Sequence, residues 1–168
     1  MSLEVELGTG SATAESYISV ADASTYHSNR GNTAWASLST DAIREQCLRK
    51  ATDFMRQAYR SRWQGYKVNE DQALDWPRYG VEVEGYAVDS DIVPTEVKNA
   101  CAELALKASS ADLNPDLTQG VLSEQVGSIS VTYDKNSPQR TRYAAIDAML
   151  APYLKAGGGG CSMGLIRS

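Results

Sequence analysis

Apolar residues recur at helical spacing in four stretches of the chain. The strongest pattern lies in residues 38–59, LSTDAIREQCLRKATDFMRQAY, where Ser39 or Thr40 is expected to cap a helix with one apolar stripe and one arginine-rich face. Shorter helices are predicted within residues 16–31, 94–109 and 140–155, with Gly31 ending the first and Pro152 predicting a kink or short final turn in the last.

Between these helices the pattern changes. Residues 62–94 are punctuated by glycine and proline and are predicted to be loop-rich. Residues 121–134 alternate apolar and polar positions around Gly127-Ser128, which predicts a β-hairpin with a two-residue turn. The expected fold is mainly α: a bundle of about four helices with a protruding hairpin and extended N- and C-terminal arms.

This pattern divides the chain into three regions. Residues 1–16 are predicted to form a polar N-terminal arm, residues 17–154 a helical body that includes the hairpin, and residues 155–168 a glycine-rich tail. With 168 residues and 42% hydrophobic content, the body has the size and composition of a single domain with a real core.

Composition excludes several classes of protein. No stretch approaches the ~20 apolar residues of a membrane span, so no membrane association is expected, and residues 1–16 lack the pattern of a signal peptide. Three widely separated cysteines, Cys47, Cys101 and Cys161, suit a reducing cytoplasm and match neither a disulfide framework nor a zinc site.

Charge is unevenly distributed along a chain whose net charge is −5. Residues 44–67 hold seven basic groups, whereas residues 70–96 hold eight acids and only Arg78. Opposed zones of this kind favour contact between copies of the chain. The residues predicted to form such a subunit interface are Arg49, Arg56, Arg60, Arg62, Ile129, Val131 and Tyr133.

No pattern of catalytic or cofactor-binding residues emerges. The chain has no Walker loop, GxGxxG, HExxH, GxSxG or EF-hand sequence, and the acids of residues 70–96 lack the spacing of metal ligands. His27, the single histidine, lies beside Tyr26 on an amphipathic segment and is predicted to be structural. The expectation is a protein that is not an enzyme and needs no cofactor.

Residues 59–67, YRSRWQGYK, indicate a possible nucleic-acid site. Aromatic residues interleaved with cations are typical of sequence-tolerant single-strand binding. The competing interpretation, which we favour, is that Trp63 and Tyr66 pack against the end of the long helix, and that Trp76 anchors a loop.

Several segments together resemble a family of tailed-bacteriophage proteins labelled DnaT-like single-stranded-DNA-binding, which is similar in turn to head–tail adaptor (head-completion, connector) proteins. The resemblance runs from about Tyr17 to Leu154. It rests on YISVADASTYHSNRGNTAW, on QALDWPR (residues 72–78), on IVPTEVKNACAELA (residues 92–105) and on EQVGSISVTYD.

The resemblance implies a structural protein of the virion neck, assembled in the host cytoplasm as a homo-oligomeric ring, usually a dodecamer. Such a ring docks on the portal protein, contacts further neck or tail proteins and passes DNA through its channel without specific binding. Its C-terminal segment reaches into the portal; the corresponding residues here are Gly157, Gly158, Gly159, Gly160, Cys161, Met163, Leu165, Ile166 and Arg167.

The sequence therefore leaves two functions in competition. The first is the head–tail adaptor, which explains the segregated charge, the acidic excess and the glycine tether. The alternative is a DnaT-like single-stranded-DNA-binding accessory protein that uses Arg60, Arg62 and Trp63.

Overall fold

The computed structural model describes residues 2–115, 123–126, 129–132 and 141–155. These contain five α-helices and one 3-10 turn: α1 (Val20–Ser28), α2 (Thr33–Ala36), α3 (Asp41–Tyr59), α4 (Thr95–Ala108), α5 (Ala144–Leu150) and the turn Ala151–Tyr153. They also contain three two-stranded antiparallel sheets: β1 (Tyr66–Lys67) with β2 (Arg78–Tyr79), β3 (Glu82–Val83) with β4 (Tyr86–Ala87), and β5 (Ser123–Val126) with β6 (Ile129–Thr132).

The helices begin where local chemistry favours it. Ser19 caps α1 by accepting a hydrogen bond from the backbone N–H of Asp22, and Thr40 caps α3 by accepting one from Ile43. Pro94 is the N-cap residue of α4, and because proline has no N–H it adds no unpaired donor at a helix end whose first N–H groups already lack intrahelical partners. Of the two predictions for Pro152, a kink or a short final turn, the short final turn is confirmed, because α5 ends at Leu150 and a 3-10 turn follows.

The core forms where α3 packs against α4, and α1 and α5 also contact α4. The stripe of α3 contributes Leu48, Ala51 and Met55, each fully buried. The facing stripe of α4 contributes Val97, Cys101, Leu104 and Ala105. Because each large apolar side chain stabilises the fold by about 1.5–3 kcal/mol on burial, this pair of helices is the main support of the domain.

A second part of the core is aromatic. Trp63 and Trp76 are fully buried and meet edge to face, with ring centroids 5.7 Å apart. Tyr59 at the end of α3 packs against Trp63, and Tyr153 packs edge-on against Trp76. This cluster joins the segment that follows α3 to the 3-10 turn. The same two parts of the chain also pair through an isolated β-bridge between Trp63 and Leu154.

Residues 2–16, for which we predicted an extended arm, instead lie against the body. Glu6 is fully buried and its carboxylate accepts hydrogen bonds from the backbone N–H groups of Gly8, Gly10 and Ser11. Val5 forms a parallel bridge with Ser16, and Glu15 pairs with Arg49 of α3 at 2.8 Å. Three backbone donors satisfy the buried carboxylate of Glu6. The composition of the segment does not show that the fold brings them together, so it could not predict this burial.

The expected mainly-α fold with β-hairpins is therefore confirmed in its coarse form, but a four-helix bundle is not. The prediction missed the four-residue helix α2 and the two small sheets β1–β2 and β3–β4. The predicted hairpin is present as β5 and β6, in which Val126 pairs with Ile129 and Ser123 with Thr132. Within the part of the chain that the structure describes, no helix has the length and apolar character needed to cross a membrane.

Candidate functional site

Four basic side chains gather around one buried carboxylate at the C-terminal end of α3. Asp75 is 1% exposed, and its Oδ1 accepts a hydrogen bond from Nε of Arg60 at 3.2 Å. Lys67 lies close enough to interact electrostatically with Asp75. It also lies close enough to be repelled by the guanidinium groups of Arg60, Arg56 and Arg78. A single carboxylate therefore faces several cations, which leaves this end of the helix positively charged.

The loop around Asp75 is held from several directions. Its backbone N–H donates to the hydroxyl of the buried Tyr17 at 3.1 Å, and its carbonyl accepts from Nη1 of Arg78 at 3.0 Å. Arg78 also donates to the carbonyls of Gln64 and Gly65, at 2.6 and 2.7 Å. Among the described residues, Oδ2 of Asp75 has no hydrogen-bond partner, which marks the carboxylate as under-satisfied.

The pKa of Lys67 reflects this environment. Burial lowers the pKa most, the carboxylate of Asp75 opposes that effect, and the positive charges of Arg60, Arg56 and Arg78 lower it further. Nζ of Lys67 donates to the carbonyl of Gln72 at 3.0 Å. Since repulsion among neighbouring cations is relieved by an added negative charge, the cluster is electrostatically suited to a phosphate.

An open groove of about 450 Å³ lies beside this cluster on the solvent face of α3. It is lined by Asp53, Arg56, Gln57, Arg60 and Ser61. The Arg60 side chain is 54% exposed, and Arg56 is only 3.9 Å from its nearest acid, Asp53. Arg60 is therefore accessible from the groove while its Nε stays on Asp75, and Arg56, whose Nε is buried without a hydrogen-bond partner, is partly accessible.

An exposed aromatic pair stands on the small sheet that follows. Tyr66 of β1 and Tyr79 of β2 are directly opposite one another, with ring centroids 5.6 Å apart and planes inclined by 35°. Tyr66 is 69% exposed and Tyr79 is 51% exposed. Such rings present open faces to solvent, as a stacking platform for bases requires.

Gly65 makes this close pairing possible. It has a positive φ of 60°, and a Cβ at this position would collide with the backbone carbonyl oxygen of Tyr79. A residue without a side chain is therefore needed where the two strands approach most closely.

The structure separates the predicted basic residues into groups. It brings Arg56 and Arg60 together along the groove. Arg49 is engaged instead by Glu15 and Glu45, at 2.8 and 3.4 Å, and Arg62 lies over the ring of Tyr59 near Asp147. Nothing in these positions tests the predicted subunit interface.

The aromatic residues of YRSRWQGYK also separate. Trp63 is fully buried, so the prediction that it packs in the core is confirmed, as it is for Trp76. The same prediction for Tyr66 is wrong, because its side chain is exposed on the β1–β2 sheet. Trp63 therefore lacks the exposed face that stacking on a base needs, and Tyr66 has it.

Sequence reasoning missed Tyr79 and the role of Asp75. A signal for Tyr79 exists in the chain: Trp63 and Trp76 are each followed three residues later by a tyrosine, in WQGY and WPRY. No local pattern marks Asp75, because its partners come from α3, β1 and β2.

His27 is structural, as its surroundings predict. It is fully buried, with Nε2 3.1 Å from the carbonyl of Ala102 and Nδ1 3.0 Å from the side-chain amide of Asn32. Burial lowers its pKa. In the described part of the chain, no group of three or more His, Cys, Asp or Glu side chains is arranged to hold a metal ion.

Some predicted site residues lie outside the described residues or have no described side chains. The tail, Gly157 to Arg167, and Tyr133 are outside, as is the predicted Gly127-Ser128 turn. For Ile129 and Val131 the structure gives the backbone pairing of β6 and no more.

Comparison with known proteins assigns the family. A family model described as "Putative DnaT-like ssDNA binding protein" matches residues 1–168. No curated protein and no solved structure matches the chain. The head–tail adaptor prediction is wrong: the description that matches is the single-stranded-DNA one, and no finding points to a virion or a portal. Over its full length, this chain belongs to the DnaT-like ssDNA binding protein family.

Proposed function

We propose that the protein binds single-stranded DNA across the groove on α3 and the tyrosine pair of the β1–β2 sheet. Arg56 and Arg60 contact backbone phosphates, and Tyr66 with Tyr79 stacks on bases. Support comes from the family match and from one observation above all: the exposed side chain of Arg60 is followed six residues later by Tyr66, which forms an exposed aromatic pair with Tyr79. Binding, without a catalysed reaction, is the activity we assign.

The two halves of this surface are close enough to contact one strand. Arg60 and Tyr66 are separated by six residues, which span at most about 20 Å even when fully extended. Single-strand-binding modules occupy ~4–16 nucleotides. A strand whose phosphates lie in the groove therefore reaches the tyrosine pair within a binding site of ordinary size.

The charge distribution limits where the strand can run. The protein is acidic overall, and the acids that follow the tyrosine sheet, including Glu82, Glu84, Asp89 and Asp91, are exposed. Phosphates avoid that side because it repels them. The strand is thus directed from the tyrosine pair toward the arginines of α3, and away from the β3–β4 hairpin.

The same surface should distinguish single from double strands. Stacking on Tyr66 and Tyr79 needs a base whose face is open, whereas in a duplex the faces are covered by neighbouring bases. Phosphate contacts alone do not distinguish the two forms. We therefore expect tighter binding to a single strand than to a duplex of the same sequence.

The test is fluorescence anisotropy with a labelled 20-nucleotide strand and its duplex, at several salt concentrations. We expect preferential single-strand binding that weakens steeply with salt. Arg56→Gln should weaken binding to all sequences and reduce the salt slope by ~0.7, whereas Arg30→Gln, an equal charge change at the end of α1, should not. Absence of binding to the single strand at micromolar protein and low salt would refute the proposal.

A further inference from the structure

The groove on α3 continues into a deeper recess. A cavity of about 480 Å³ lies between α3 and the segment that follows α4, and it shares Asp53 and Gln57 with the arginine groove. A third cavity of about 310 Å³ shares Phe54, Gln57 and Asn114 with the second. Gln57 lines all three, so the three cavities adjoin one another along α3.

The recess has an aromatic wall. Phe54 is half-buried and meets Tyr143 edge to face, with centroids 5.4 Å apart and planes inclined by 82°. The hydroxyl of Tyr143 donates to the carbonyl of Leu113 at 3.2 Å, and Lys107 lies 5.7 Å from its ring centre. Of the two aromatic residues only Phe54 lines the recess, and Tyr143 supports its ring from outside the lining.

The charges of the recess differ from those of the groove. Lys50 is its single basic lining residue, and it is outnumbered by Asp53 and Asp112. A phosphate would be repelled there, whereas in the groove two arginines face one acid. The recess therefore suits an uncharged group that has hydrogen-bonding edges and a flat apolar face.

We propose that this recess holds one base of the bound strand and prefers a base with an exocyclic amino group. This inference rests on the proposed function, because the strand reaches the recess from the phosphate groove. The base lies against Phe54, and its amino group donates to the carboxylates of Asp53 and Asp112. Gln57 and Asn114 supply adaptable amide contacts at the edge.

The preference follows from the chemistry of the lining groups. A carboxylate only accepts hydrogen bonds, so it pairs with the amino group of cytosine and not with the carbonyl that uracil carries at the same position. Amide side chains can present either a donor or an acceptor and discriminate less. A volume of about 480 Å³ is in the range of ordinary small-molecule sites, which is ample for a base.

The test compares oligo(dC) and oligo(dU) of 20 nucleotides, which differ at this edge of the base. The full chain should bind oligo(dC) at least about fivefold more tightly, the lower end of what one good base contact provides. Asp53→Asn/Asp112→Asn should bring the ratio toward one, because both new amides can pair with either base. Asp112→Asn keeps a side-chain oxygen that can accept the hydrogen bond from the backbone N–H of Asn114, as the carboxylate of Asp112 does in the unchanged protein.

A matched control removes the same charge elsewhere. Asp71→Asn/Asp89→Asn changes two exposed acids outside the cavities and should leave the oligo(dC) preference intact. Equal binding of both strands by the unchanged protein would overturn the base recess while the proposed function stood. Loss of the preference in the control pair as well would overturn it too, and failure to bind either strand would refute both proposals.

Discussion

Two segments with the same Trp–Tyr spacing each bury the tryptophan and expose the tyrosine. In WQGY and WPRY the tryptophans, Trp63 and Trp76, are fully buried and pack on each other at 5.7 Å. The tyrosines three residues later, Tyr66 and Tyr79, are exposed and face each other across the β1–β2 sheet at 5.6 Å. One pair of like residues thus supports the core, and the other is available for binding.

The comparison shows how one short sheet can carry exposed tyrosines on one face and buried supporting side chains on the other. The two strands are only two residues long, and Lys67 and Arg78 alternate with the tyrosines, so the intervening side chains point to the other face. Arg78 on that inner face is held by three backbone carbonyls. The tryptophans and Arg78 fix the sheet, and the tyrosines are thereby held rigid without being covered.

The largest expected effect is a loss of stability when one of the two buried tryptophans is replaced. Trp76→Ala should lower the free energy of unfolding by about 3–5 kcal/mol, because it leaves a large cavity against Trp63 and Tyr153. Urea denaturation followed by circular dichroism measures this. Tyr79→Ala, three residues later, should lower the same free energy by no more than about 1 kcal/mol, the contribution of a cross-strand aromatic pair. Equal losses in the two variants would remove the distinction between the pairs.

A smaller effect is expected on binding from the exposed half. Tyr66→Ala should weaken single-strand binding by about 1–3 kcal/mol, which is the contribution of one stacked base, and leave stability nearly unchanged. Tyr66→Phe should keep most of the affinity, because the ring and not the hydroxyl makes the stack. Anisotropy titrations of the three proteins measure this series.

The matched control for that series is Tyr86→Ala. Tyr86 is 79% exposed but lies on β4 of the β3–β4 hairpin, which also contains Glu82 and Glu84. Its removal should leave single-strand affinity unchanged. A loss as large as that of Tyr66→Ala would show that exposure alone, rather than place beside the arginines, decides which tyrosines bind.

The smallest effect concerns a buried ring that titrates. Burial lowers the pKa of His27 in the folded protein, with Glu103 opposing the shift and Arg30 adding to it. The unfolded chain, whose histidine pKa is ~6.5, therefore binds a proton first as the pH falls. Stability should decrease below that pH, by at most about 1.4 kcal/mol per pH unit.

Unfolding free energies at pH 7.5 and 5.5 test this. His27→Gln is expected to be less stable at both values but to show a smaller difference between them. An unchanged difference in the variant would assign the pH dependence to other groups.

Much of the helical framework could be predicted because its causes are local. Caps at Ser19 and Thr40 and the apolar stripes of α3 and α4 lie within single segments. The sheets β1–β2 and β3–β4 were missed because two-residue strands leave no periodic pattern. The N-terminal segment was misjudged because the burial of Glu6 depends on three backbone donors that only the folded loop brings together.

The site was predictable in part. The cations of residues 44–67 were identified and assigned to a subunit interface, which stays a prediction, whereas the head–tail adaptor function is wrong. The structure shows that several of these cations have partners within the chain, Arg44 with Asp41 and Arg49 with Glu15. Charge along a sequence therefore overstates the charge that is available for binding.

What the sequence by itself determined is the presence of helices α1, α3, α4 and α5, the structural role of His27 and the basic excess of residues 44–67, because each depends on neighbours within a few residues. The tertiary structure decided which aromatic rings are buried and which are exposed, and which arginines remain available in the groove. It did so because burial and ion pairing depend on groups that the chain brings together from distant positions, as Asp75 shows with Arg60 and Tyr17.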